Sequence, residues 1–253
     1  DRNGATLGLA GDVAVAGTLI LTDGTLDTGT DTLTLNGDVA VTSGVLTGNI
    51  VFGDVGTPES TEVPAGTYAT LEIDRAAGIA LGGDVTVSET LTLTNGGLST
   101  GENTLTLDGD LSATSGTLAG NITFGEDSAS TDLIIGTYQD LTIDRSADVG
   151  LAGDVTVEGT LTLENGAFSI GGNTLTLNRD VTVNTGTLTG GASSDIIFGG
   201  SGGGTGLPDV TLNNLTINRS AGIALAGDVT VGGTLALTDG GLTIGANTLT
   251  LNG

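Results

Sequence analysis

The segment LTINRSAGIALAGDVTVGGTLALTDGGLTIGANTLTLNG, residues 215–253, occurs three times without a gap. The earlier copies are LEIDRAAGIALGGDVTVSETLTLTNGGLSTGENTLTLDG at 71–109 and LTIDRSADVGLAGDVTVEGTLTLENGAFSIGGNTLTLNR at 141–179. Asp1-Arg2 falls on the Asp-Arg step of this unit, so the opening segment reads as a fourth copy lacking its first strand. The full copies begin at Leu71, Leu141 and Leu215, a long period that lengthens slightly at its last step. A long period assembled from short apolar pieces marks a solenoid, in which each unit buries its apolar face only against its neighbours. The chain reads as a single β-solenoid over 1–253, built of four homologous repeats at about 1–70, 71–140, 141–214 and 215–253, the first and last incomplete.

Within the 71–140 copy, nine apolar triplets start at Leu71, Ile79, Val85, Leu91, Leu98, Leu105, Leu111, Leu118 and Ile122. Most alternate an apolar residue with a small polar one, as in Leu-Thr-Leu and Val-Thr-Val. Period-two alternation sends one set of side chains inward and the other outward. Asn-Gly, Asp-Gly and Ser-Gly steps between the triplets supply the corners. Leu71, Leu91 and Leu111 are evenly spaced, and the same interval separates Leu141, Leu161 and Val181, Leu215 and Leu235, and Leu19 and Val39. This spacing predicts an all-β, right-handed parallel β-helix with three strands per coil of about 20 residues.

Composition narrows the function by what is missing. Thirty acidic residues stand against five basic ones, a net charge of −25, which argues against nucleic acid and anionic membranes as partners. With no Cys and no His there is no disulfide framework, thiolate or imidazole metal site, or Ser-His-Asp triad. With no Lys, the glycine-rich run 199–206 is a corner and not a phosphate cradle. No stretch of about 18 apolar residues is present to span a membrane. Some β-helical glycosidases use Asp clusters, but no acidic cluster here departs from the repeat. The expectation is a non-enzymatic chain with no catalytic, cofactor-binding or metal site.

Three polar positions recur. Asp12, Asp84, Asp154 and Asp228 follow Gly in Gly-Asp-Val, where a carboxylate caps backbone N–H groups of the turn; the alternative reading is a column of calcium ligands. Asn103, Asn173 and Asn247, with Asp31 in the first copy, are placed for side-chain amides to bond along a corner as asparagine ladders do. Arg75, Arg145 and Arg219, with Arg2, follow Asp or Asn and are expected to neutralise neighbouring carboxylates. The segments from Phe52 to Tyr68, Phe124 to Tyr138 and Phe198 to Leu212 vary in length at one place in the repeat, which predicts insertions aligned along one edge.

The alternation L-T-L-x-G-D-V-T-V-x-x-G-T-L resembles the right-handed β-helical stalks of bacterial surface adhesins, of the filamentous-haemagglutinin and autotransporter-passenger kind. That resemblance implies an extracellular, cell-surface role as a stalk or fibre subunit. Expected partners are copies of the chain stacked end to end, and surface glycans or other cells; neither nucleic acid nor membrane insertion is expected. Two alternatives stand beside it: an ice-binding solenoid using outward Thr rows, and a carbohydrate-binding or carbohydrate-active β-helix.

Overall fold

The computed structural model describes residues 4–53, 62–125 and 129–253, which fall into two compact units, Asp1–Asn121 and Ile122–Gly253. Arg2 and residues 54–61 and 126–128 of the variable segments lie outside the described residues. Among the described residues there is no helix; parallel strands stack as a β-solenoid with a step of roughly 20 residues.

In the first unit one stack runs Val13, Leu33, Ile50, Leu71, Leu91, Leu111, each paired with the next. A second stack pairs Tyr68 with Val87 and Val87 with Leu107. The third holds Leu19 on Val39, then Val63 on Leu81 and Ile79 on Leu98. In the second unit Val155 pairs with Leu175, Leu175 with Ile196, Ile196 with Leu215 and Leu215 with Leu235. Between Val155 and Leu175 the chain visits the other two stacks at Leu161 and Phe168, so three strands complete one coil. Inward Leu, Val and Ile thus meet their like, and Val155, Leu175, Ile196 and Leu215 are all buried. Each such side chain is worth about 1.5–3 kcal/mol over leaving it exposed, so a three-residue strand suffices once it has a neighbour above and below.

Two expectations need correction. From the strand holding Leu141 up to the one holding Leu215 there are eleven strands: Gly136–Asp144, Val149–Leu151, Val155–Val157, Leu161–Asn165, Ala167–Ser169, Thr174–Leu177, Val181–Val183, Thr187–Thr189, Asp195–Phe198, Thr205–Leu207 and Val210–Leu212. The triplet pattern predicts nine, because the variable segment reads as loop but folds into two further strands. Eleven is not a multiple of three, so the next repeat begins one face away. Leu141 stacks with Leu161 and Val181, whereas its repeat equivalent Leu215 stacks with Ile196 and Leu235. The insertions therefore do not share an edge. In the second unit, one leads into Thr131–Leu133, stacked under Val149–Leu151. The other leads into Thr205–Leu207, whose Thr205 hydroxyl meets Val181 in a different stack.

Candidate functional site

The described arginines of this position turn inward and donate to main-chain carbonyls, in place of the surface charge neutralisation expected. Arg75 is 5% exposed, and Arg145 and Arg219 are 0% exposed. Arg219 Nε donates to Gly199 O at 2.8 Å, and Nη2 donates to Leu177 O at 2.7 Å and Arg179 O at 2.8 Å. Its Nη1 reaches Gly203 O at 3.4 Å. Arg75 repeats the pattern in the first unit, with Nε to Gly53 O at 3.2 Å and Nη2 to Leu35 O and Gly37 O at 3.1 Å each. Arg145 Nη1 donates to Ala129 O at 3.0 Å. Each guanidinium also lies over a phenylalanine of the preceding coil: Phe52 at 5.9 Å, and Phe124 and Phe198 at 5.5 Å.

The physical cause is the insertion itself. A lengthened corner interrupts the ladder beside these carbonyls, although Leu177 O, Gly203 O and Leu35 O also accept from Gly199 N, Thr205 N and Gly53 N; buried unpaired carbonyls are costly. A planar fork of five donors can serve several at once, and the aromatic face offsets part of the lost hydration. Arg219 and Arg75 bond carbonyls one and two coils back, so each reaches across the inserted coil to the regular coil behind it. Burial lowers the Arg219 pKa, and the charge of Asp180 partly restores it. Sequence reading missed this site. Its available signal was Phe-Gly at 52–53, 124–125 and 198–199, each followed about one coil later by Arg in a chain with only four phenylalanines.

The aspartates do cap backbone N–H groups, though those of the next coil and not of their own turn. Asp12, Asp84 and Asp154 accept at Oδ1 from Thr32, Thr104 and Thr174 N at 2.8 Å, and Asp228 from Thr248 N at 2.7 Å. The asparagines reach the opposite way. Asn103, Asn173 and Asn247 donate from Nδ2 to Leu81, Leu151 and Leu225 O at 2.9, 2.7 and 2.6 Å. Each amide therefore bonds a main-chain carbonyl of the previous coil, in place of the side-chain ladder expected. Asp12 and Asp84 sit on different stacks of the first unit, and Asp154 and Asp228 on different stacks of the second.

The outer surface is plain. Central outward residues on one face of the second unit run Thr156, Thr176, Ile197, Thr216, Ala236, a threonine row broken twice. Both tyrosines and all four phenylalanines are buried, so no aromatic face is offered to a sugar ring or base. Among the described residues Arg179 is the only exposed cation. A pocket of about 340 Å³ in the first unit is lined by Val39, Val41, Thr42, Glu62, Pro64 and Gly82, with Thr42 and Glu62 as its polar side chains. No family model matches the chain, and no curated protein or solved structure is significantly similar to it.

Proposed function

We propose that this chain is a non-enzymatic, extracellular structural protein: a β-solenoid stalk or fibre subunit of the cell-surface adhesin kind. One observation carries the reading. The described Asp and Arg residues of the repeat, and the Asn of its last three copies, direct polar atoms to main-chain groups of neighbouring coils. Stacking alone thus accounts for the repeat's polar pattern, which is what a scaffold requires and a reaction centre does not. The buried aromatics and the broken threonine row weigh against the carbohydrate and ice alternatives.

Copies of the chain are the first partners this reading expects, meeting end to end. Leu237 and Leu251 are each 53% exposed near one end of the sequence, and Leu7 and Val13 are exposed near the other. A further coil laid on either end would cover such side chains. Its high net negative charge opposes lateral clumping and leaves axial contact less affected. Electron microscopy of the purified chain over a concentration series is the test, with thin filaments expected. Dispersed single particles at every concentration would remove the self-assembling fibre, and hydrolysis of a polysaccharide by the pure chain would overturn the structural reading.

A further inference from the structure

We propose that Asn95 and Asn165 convert spontaneously to aspartate, the main-chain nitrogen of the following glycine displacing the side-chain ammonia. The two residues occupy one repeat position, each exposed at the last position of a strand, just before a corner. Gly96 N donates to Asn95 Oδ1 at 3.0 Å, and Gly166 N donates to Asn165 Oδ1 at 2.9 Å. The carbon bearing that oxygen is the electrophile, so the hydrogen bond holds the attacking nitrogen beside the carbon it must reach. Such pre-positioning replaces a conformational search with a near-attack geometry.

The corner keeps this arrangement for a structural reason. Gly96 and Gly166 have φ of +74° and +70°, and a Cβ on either would lie 1.9 Å from Arg75 O or Arg145 O. Glycine is therefore required, and with it goes the side chain that would shield the nitrogen. The carbonyls of Gly96 and Gly166 accept from Thr117 N at 2.9 Å and Thr187 N at 2.8 Å, which anchors the chain beyond the corner. The glycine N–H itself is bonded to the asparagine side chain, outside the strand ladder.

The chemistry balances with water as the only co-reactant. Base removes the proton from the glycine N–H, and the nitrogen forms a bond to Cγ. The Cγ–Nδ2 bond then breaks, and Nδ2 leaves as ammonia with a proton from solvent. The resulting five-membered imide is opened by water at either carbonyl, giving aspartate or its β-linked isomer. No electron transfer occurs. The fold already contains the aspartate product at this position in other copies: Asp23 accepts from Gly24 N at 2.8 Å, and Asp239 precedes Gly240. Each conversion adds a negative charge to an exposed corner and leaves the aliphatic core untouched.

Asn36-Gly37 supplies a control in the same chain. Gly37 is buried, and its carbonyl accepts from Arg75 Nη2 at 3.1 Å. Asn36 Oδ1 lies beside Gly53 of the next coil, 2.3 Å from where a Cβ on that glycine would sit. The glycine of this dipeptide is thus buried and tethered by neighbouring coils, unlike the two exposed corners.

The experiment incubates the folded full chain in warm, mildly alkaline buffer and follows each asparagine by tandem mass spectrometry, with a parallel sample in denaturant. In the folded chain, Asn95 and Asn165 should convert about ten-fold or more faster than Asn36, and the three should draw level in denaturant. Equal rates in the folded chain, or conversion of Asn95 and Asn165 only once denatured, would overturn the proposal. Asn95→Asp with Asn165→Asp should melt with the wild type; a large loss of stability would show that the corner does not accept the product.

Discussion

One face of the second unit pairs without a break from 136–138 through 155–157, 175–177, 196–198 and 215–217 to 235–237. On a neighbouring face, Val181 meets the inserted coil through a side chain instead. The Thr205 hydroxyl accepts from Val181 N at 2.7 Å and donates to Val181 O at 3.4 Å. The same coils are therefore held by main-chain ladders on one side and by side chains on another. Where the step stays regular, main-chain ladders join the coils and side chains fill the core, with Asp and Asn capping only at the corners. Where the chain lengthens, Arg219, Thr205 and the tyrosine of the corresponding earlier insertion take over that task.

The largest expected break in this contrast comes from Arg219. Arg219→Ala removes the guanidinium bonds to four main-chain carbonyls, of which Leu177 O and Gly203 O keep a backbone donor, leaves a hole beside Phe198, and should cost about 3–5 kcal/mol in urea unfolding. Arg219→Lys should recover only part, since an ammonium cannot fork across two coils. A cost below about 1 kcal/mol, the value of an ordinary hydrogen bond, would mean the inserted coil is held by something else.

A smaller effect should follow pH. The Tyr138 hydroxyl donates to Ile134 O at 2.8 Å, and burial raises its pKa well above the ordinary tyrosine value; Tyr68 behaves alike with Pro64 O at 2.7 Å. The folded state resists losing this proton, whereas the unfolded chain loses it above about pH 10. The stability tied to the neutral hydroxyl is present below that pH and lost as pH rises past it, by about 1.4 kcal/mol per pH unit for each tyrosine. Tyr138→Phe should flatten part of that alkaline decline in thermal melts. An unchanged slope would place the titration elsewhere.

The regular coil should yield least. Asp154→Ala removes one acceptor for Thr174 N at an exposed corner and should cost about 1 kcal/mol. Thr156→Val, outward on the unbroken face, should stay within about 0.5 kcal/mol. If Asp154→Ala matched Arg219→Ala in chemical denaturation, the division between ladder-held and side-chain-held coils would fail.

Amino-acid order was enough to set the parallel all-β solenoid and its register. Leu71, Leu91 and Leu111 stack as their even spacing requires, because alternation fixes which side chains face inward and stacking like on like fills the column. The capping role of the aspartates was legible too, since Asp beside Gly at a corner has backbone N–H groups within reach. Where the arginines point was set only by the folded coils. Next to Asp74 or Asp144, an arginine looks like a surface ion-pair partner; it turns inward because the lengthened corner leaves carbonyls that local sequence does not show. The stacked coils also set how equivalent residues of successive repeats step around the solenoid. That outcome depends on whether the variable segment adds strands to the coil. Its polar, glycine-rich residues acquire strand geometry only through neighbours already in place above and below, so eleven strands close around three faces where nine were legible.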